Sequence, residues 1–310
     1  TNRNAVPMKI LICIPHFFET APANKARYHS EREDKRQEKI RGLAKCIGIL
    51  HLLFGRAHIG ANHRQRIFEE VPNECAHSVT VKVVTVPEKH LLSEIGIPSR
   101  LYEHVPINAD PRHIGFETHK VIRSHAGQYD YYGYLEDDIV IHDPHFFCKL
   151  DYFNRNVTSA DSKALLQPNR FESFLDTDKV HSEWVYKIYP DYTYSDGPVG
   201  DVIHTLDYLG GRVQFERARA PHSGCFFVNE AQLAALDQAP TFGSIEGIDD
   251  GMVLDAAATL PIDQAFNVYK STQRDMNFLQ VEHAAPGCFD QMEIAKDGSV
   301  IWNHPWGESG

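Results

Sequence analysis

Apolar residues fall into short blocks along the chain, and the spacing inside each block assigns an element. Met8 to Ile14 (MKILICI) is apolar almost without interruption up to Pro15, the pattern of a strand buried on both faces. Ile40, Leu43, Ala44, Ile47, Leu50 and Phe54 recur at helical spacing as far as Gly55, which predicts a long amphipathic helix. Ser30-x-x-Glu33 ahead of it has the form of a capping box. Val79, Val81, Val83 and Val86 mark a second strand closed by Pro87, so the chain opens strand, helix, strand.

The segment GFETHKVIRSHA (Gly115–Ala126) is helix-like and runs into a loop at Gly127–Asp130. Tyr131 to Ile141, YYGYLEDDIVI, then sets aromatic and β-branched residues on both sides of Glu136-Asp137-Asp138. Asp143-Pro144 supplies an N-cap with Pro at the first helical position, and Phe146, Phe147, Leu150 and Phe153 give the helix that follows an apolar face. Later strands are predicted at Ala164–Gln167, Ser223–Val228 and Phe278–Glu282, and helices at Glu230–Leu236 and Asp250–Ala258. Phe171 to Gly211, rich in Tyr, Asp and Gly, shows little periodicity and reads as loop. Alternating strands and helices predict an α/β fold, with neither an internal repeat nor a low-complexity segment.

Composition narrows the class. The 310 residues are 42% hydrophobic, with 31 Lys+Arg against 42 Asp+Glu and a formal net charge of −11, which describes a globular protein with a sizeable core. The longest apolar run, Ile47 to Phe54, is broken by Gly48 and His51 and falls short of the roughly 20 residues that span a bilayer. No transmembrane segment is predicted; peripheral membrane association stays open. An acidic balance argues against a nucleic-acid partner, whose phosphates call for a basic face. The basic residues between Arg27 and Arg41 are interleaved with Glu31, Glu33, Asp34 and Glu38 and read as a solvated helix face. Cys13, Cys46, Cys75, Cys148, Cys225 and Cys288 form neither a CxxC pair nor a tight cluster, so they read as buried thiols in a reducing, cytoplasmic setting.

Three consecutive carboxylates within an apolar strand need a cation or several donors to offset their desolvation. A hard divalent ion fits, because it takes oxygen ligands from one or two carboxylates plus substrate phosphates. In an extended strand Glu136 and Asp138 face one way and Asp137 the other, so one face reaches a metal and a diphosphate while the other meets ribose hydroxyls or backbone donors. Pairing with a neighbouring Arg or Lys is the alternative. Position favours a ligand, since open α/β sheets bind theirs at strand carboxyl ends.

The opening strand MKILICIP, the phrase FETHKVIRSHAGQYDYYGYLEDDIVIHDP (Phe116–Pro144), the segment HSGCFFVNEAQL (His222–Leu233) and the acidic turn IEGIDDG (Ile245–Gly251) together resemble the GT-A family of nucleotide-sugar-dependent glycosyltransferases. The resemblance implies a Rossmann-related mixed sheet flanked by helices in one catalytic domain, with residues 1–142 as the nucleotide-sugar half and 143–310 as the acceptor half. It also implies Mn²⁺ or Mg²⁺ on the donor diphosphate, held by Asp138, with Glu136 as the next candidate, and by the late His283, whose alternative is a satisfied or exposed histidine. The triplet begins with Glu where the family more often has Asp, which leaves open which acid meets the ribose, Glu136 or Asp137. In inverting members an acid at the start of a helix deprotonates the acceptor; the matching residue is Asp250, with Asp249 as its nearest rival. A helix N-cap is the alternative use of either acid. Pro15 and His16 stand where the family binds base and ribose, and His222, Ser223 and Gly224 would line the donor-sugar or acceptor pocket. Lys120 and Arg123 are candidate phosphate contacts or else exposed helix residues, and Trp184, Trp302 and Trp306 are candidate sugar-stacking rings.

The implied reaction moves a sugar from a nucleotide diphosphate to a hydroxyl of a glycan, lipid-linked or small-molecule acceptor. Dinucleotide, P-loop, zincin and nucleophile-elbow fingerprints are missing from the sequence. Two alternatives share parts of the pattern: a sugar-nucleotide pyrophosphorylase, whose Gly-rich basic N-terminal loop this chain lacks, and a non-catalytic carbohydrate-binding module.

Overall fold

The structure is a computed structural model that describes residues 7–22, 29–55, 59–71, 77–173, 181–182, 187–191, 202–218, 220–248, 253–285 and 292–302. In chain order the first half holds β1 (Lys9–His16), α1 (Arg36–Phe54), a hairpin of β2 (Ile59–Asn62) and β3 (Ile67–Glu70), β4 (Ser78–Thr85), β5 (Glu103–Pro106), α2 (Ile114–Arg123), β6 (Tyr131–Leu135) and β7 (Ile139–Val140). The second half holds α3 (Phe146–Val157), β8 (Ala164–Leu166), β9 (Asn169–Ser173), β10 (Lys187–Ile188), β11 (Val202–Tyr208), β12 (Gly211–Arg217), β13 (Cys225–Asn229) and α4 (Glu230–Leu236). It ends with α5 (Val253–Ala265), β14 (Asn267–Ser271), β15 (Gln280–His283), β16 (Met292–Ile294) and β17 (Val300–Trp302).

The central sheet has the order β13-β6-β1-β4-β5, parallel except for β13, so the expected mixed α/β sheet is present. Along β1 the alternation is complete. Ile10, Ile12 and Ile14 pack with Leu43, Ile47 and Leu50 of α1 and with the phenylalanines of α3 on one face. Leu11 and Cys13 pack with Phe116 and Ile122 of α2 and with α4 and α5 on the other. Helices therefore cover both faces, as a parallel sheet requires. β1 leads through α1 to β4 on one side, while β5 leads through α2 to β6 on the other side of β1. The carboxyl ends of β1 and β6 thus flank a topological switch point, where α/β sheets leave a crevice.

Two four-stranded sheets complete the second half: β10-β9-β15-β7 and β11-β12-β14-β8. The first joins β7, directly after the acidic triplet, to β15, with Glu282 opposite Val140 and His283 opposite Ile139. The second contains a hairpin whose first strand and turn lie within the stretch expected to be loop, Phe171–Gly211. Tyr208 pairs with Gly211 around Leu209 and Gly210, whose positive φ values of 47° and 79° make a two-residue turn with the twist that hairpins favour.

Other expectations shift in detail. β1 runs on through Pro15 to His16, because its pairing with β6 ends at Cys13 and leaves the proline opposite β4 alone. The capping box at Ser30 does not form; short 3-10 turns precede α1, and Lys35 stands at its N-cap with its side chain on Glu38 rather than capping the helix. Asp143 starts its turn as expected, accepting from His145 N–H at 2.8 Å, but the helix itself begins at Phe146. Cys13, Cys46, Cys148 and Cys225 are free thiols, and Cys75 and Cys288 lie outside the described residues. No helix among the described residues is long and apolar enough to cross a membrane.

Candidate active site

The site is built on the switch-point crevice. β6 stops at Leu135, and Glu136-Asp137-Asp138 form a turn: Glu136 N–H donates to Gly224 O at 2.9 Å and Ile139 N–H to Glu136 O at 3.1 Å. The alternation expected of an extended strand is therefore replaced by three carboxylates that leave in different directions. Asp137 and Asp138 share one cation, and Glu136 turns away from it.

Asp137 is consumed by the protein. One oxygen accepts from Lys39 Nζ at 2.7 Å and the other contacts His16 Nδ1 at 2.6 Å. Leu91 N–H donates to His16 Nε2 at 3.1 Å, so the imidazole proton sits on Nδ1 and is donated to Asp137. Burial works against a charged Asp137, but the Lys39 ammonium and the His16 N–H outweigh it and hold the carboxyl well below the usual range. His16, expected to meet the nucleotide, spends both ring nitrogens on this internal chain. Its role in the structure is to fix Asp137.

Asp138 is half satisfied. Its Oδ2 accepts from Lys39 at 3.0 Å, while Oδ1 faces His283 Nε2 across 3.7 Å, too far for a hydrogen bond. His283 Nδ1 lies 2.9 Å from Glu172 Oε1, so Nδ1–H donates backward and Nε2 points at Asp138. Burial lowers the proton affinity of this imidazole, yet Asp138 and Glu172 outweigh burial and raise it. Of the expected metal trio, the structure thus brings Asp138 and His283 together. It sends Glu136 to a second group.

That group is Glu136, His222 and Asp255, whose ligand atoms all lie within 4.8 Å of one another. Gly224 makes the approach possible: it has φ +65°, and a Cβ there would stand 2.8 Å from Glu136 Oε2. Burial, and then the neighbouring Asp138 charge, push the Glu136 carboxyl up to about 8. His222 Nδ1 is 2.9 Å from Thr259 Oγ1 and its Nε2 is 3.7 Å from Asp255 Oδ1. Burial, then the Arg170 guanidinium, draw His222 down to about 4. Arg170 is itself clamped by Asp191 at 2.9 and 2.8 Å, and Lys270 Nζ donates to the His222 carbonyl at 2.7 Å.

The remaining candidates lie elsewhere. Pro15 is buried within β1. Lys120 pairs with Glu117 at 2.6 Å, and Arg123 pairs with Asp237, donates to Phe242 O at 2.7 Å and covers the Phe242 ring. α2 starts beside Tyr134, near the triplet, and ends near the start of β6, so both cations sit towards the opposite end of the strands. The structure does not bring them to the crevice; Lys120 is paired within α2, and the bonds of Arg123 hold α2 to the end of α4 and the segment after it. Ser223 is buried, its hydroxyl donating to Pro168 O at 2.7 Å. Asp249, Asp250, Trp184 and Trp306 lie outside the described residues, as does the side chain of Trp302.

Lys39 is the functional residue that pattern reading missed. The basic stretch that contains it is a solvated face elsewhere, with Arg32–Asp34, Arg36–Glu94 and Lys35–Glu38 pairs, but Lys39 is buried beneath the triplet. A signal existed: Lys39 stands four residues before Leu43, on the apolar stripe of α1. Glu172, Arg170, Asp255 and Lys270 carried no comparable signal, being single charges in otherwise ordinary strands and a helix.

No protein-family model matches the chain, and no curated protein sequence does. Solved structures with a similar fold include S. aureus TarS residues 1–349, at 9% identity and a TM-score of 0.38, covering 89% of this chain and 60% of that one. GalNAc-T7 with UDP, GalNAc and Mn²⁺ is similar at 12% identity and a TM-score of 0.43, over 89% of this chain and 44% of that one. A 4-diphosphocytidyl-2C-methyl-D-erythritol synthase is similar at 11% identity and a TM-score of 0.35, over 87% and 92%. The chain spans 60% of the TarS chain and 44% of the GalNAc-T7 chain.

Proposed function

We propose that this chain is a glycosyltransferase that takes a sugar from a nucleotide-diphosphate donor with the help of a divalent cation and passes it to a hydroxyl of a glycan, lipid-linked or small-molecule acceptor. The observation that carries the reading is the pair of open ligand atoms at the switch point, Asp138 Oδ1 and His283 Nε2, 3.7 Å apart and without a hydrogen bond among the described residues. A hard cation binds oxygen at about 2.1 Å, which sets neighbouring ligands about 3 Å apart and opposite ones about 4.2 Å apart. The pair fits between these limits, and Glu172 behind His283 is the outer carboxylate that orients a metal-bound imidazole. Mn²⁺ or Mg²⁺ held there would neutralise the diphosphate as it leaves.

The rest is done by the chain's own groups. His16 and Lys39 fix Asp137 and half of Asp138, so the triplet keeps one shape whether or not a donor is present. The carboxyl ends of β1, β4 and β6, in residues 1–142, take the nucleotide, and residues 143–310 supply the acceptor side. Asp250, with Asp249 beside it, is the base that removes the acceptor proton. Its support is position in the chain: it precedes α5 by three residues, and Asp255 of α5 stands beside Glu136. A base opposite the leaving group corresponds to inversion at the sugar carbon.

The test is thermal stabilisation of the purified chain by UDP, GDP, CDP and CMP, each with and without Mn²⁺. One nucleoside diphosphate should raise the melting temperature only when Mn²⁺ is present, and Asp138→Asn should abolish that rise. If no nucleotide stabilises the chain, the transferase reading fails and a carbohydrate-binding module takes its place.

A further inference from the structure

Glu136, His222 and Asp255 come from three elements, the turn after β6, the segment before β13, and α5, and bring one ligand atom each to within 4.8 Å of one another. We propose that they hold a divalent transition-metal ion of their own, distinct from the donor-linked position on Asp138 and His283, and bound without any nucleotide.

His222 points to a ligand most directly. Thr259 fixes its ring through Nδ1, which leaves Nε2 buried with no hydrogen-bond partner and aimed at Asp255 Oδ1 3.7 Å away. A buried nitrogen left without a partner keeps its desolvation cost uncompensated, and a bound cation removes that cost. Glu136 makes the second contribution. Its carboxyl group has no hydrogen bond among the described residues, and it fits only because position 224 lacks a Cβ. Asp255 closes the third side with its side chain 59% exposed, so a coordination position remains open towards solvent, the arrangement of metal sites that accept water or a substrate atom.

The donor set of two carboxylate oxygens and one imidazole nitrogen favours Mn²⁺ or Zn²⁺ over Mg²⁺ or Ca²⁺, which prefer oxygen alone. The cations nearby do not fill the place. Arg170 is held by both oxygens of Asp191, and Lys270 is drawn to the His222 carbonyl. Glu136, on releasing its proton to the incoming ion, and Asp255 would together supply two formal negative charges to balance a dication.

The experiment is Mn²⁺ binding to the full chain in the absence of nucleotide, read from the electron paramagnetic resonance signal of the free ion. The wild-type chain should bind one Mn²⁺ that Zn²⁺ displaces. Asp255→Asn, at an exposed position where folding is not at stake, should weaken it at least tenfold, as should His222→Gln. Asp138→Asn should still bind Mn²⁺ without nucleotide while losing the nucleotide-dependent stabilisation, which keeps failure of this site separate from failure of the transferase reading. The proposal is overturned if the wild-type chain binds no Mn²⁺ without nucleotide, if Asp255→Asn binds as tightly as wild type, or if Asp138→Asn alone abolishes binding.

Discussion

Lys39 decides how the acidic triplet survives inside the protein. One ammonium lies between Asp137 and Asp138, and burial is outweighed by the two carboxylates, so the lysine stays charged well above its ordinary range. Lys39→Met would leave two buried carboxylates without their cation, and removing one partner of a buried pair costs about 3–5 kcal/mol. Urea unfolding should show that loss, and adding Asp137→Asn to the same chain should recover part of it. Gly224 is the second sensitive position. Gly224→Ala forces a left-handed backbone at about 1–2 kcal/mol and drives a methyl group into Glu136 and Ile139, so both stability and Mn²⁺ binding should fall. The acidic triplet of this site was legible in the sequence as three charges in an apolar run. Lys39 was obscured because its neighbours along the chain are surface ions, although its helical position already set it on the buried stripe.

The elements came through where a single period ran unbroken and blurred where it did not. β1, β4 and α4 stand close to their predicted bounds, and the strand expected over Tyr131–Ile141 is split by a turn at the triplet into β6 and β7, whereas the hairpin of β11 and β12 was hidden among aromatic and polar residues, its strands being only half buried. α5 continues past its predicted end at Ala258 and carries Pro261 inside it. A proline has no N–H to give to the carbonyl four residues back. His119 of α2 supplies the missing donor: its Nε2 lies 3.0 Å from Ala257 O, while Nδ1 accepts from Gly243 N–H at 3.2 Å. Burial draws this histidine down to about 3 from an ordinary 6.5. The unfolded chain therefore takes up a proton between these values that the folded chain refuses. The contribution is complete above pH 6.5 and is lost as pH falls towards 3. Chemical denaturation at pH 7 and pH 4.5 should show the drop, and His119→Gln should make it smaller.

At the scale of the molecule, the crevice draws on both halves of the sequence. The triplet closes the first half, Glu172 and His222 lie in the middle of the second, and His283 arrives on β15. Asp250→Asn should lower turnover by orders of magnitude while leaving donor-dependent stabilisation in place, which initial rates beside a thermal-shift titration would show. No spacing rule in the sequence tied Asp138 to His283, because sheet pairing rather than periodicity joins them.

β7 and β15 are short, and their pairing is extended by one further bond, from Ala284 N–H to Asp138 O at 2.8 Å. The segments it joins are far apart in the chain, so bringing Asp138 beside His283 closes a long loop at an entropic cost. A cation there would act as a clasp between segments far apart in sequence. Deuterium exchange at the Ala284 amide should then slow when Mn²⁺ and the preferred nucleotide are added, reporting occupancy from the backbone itself.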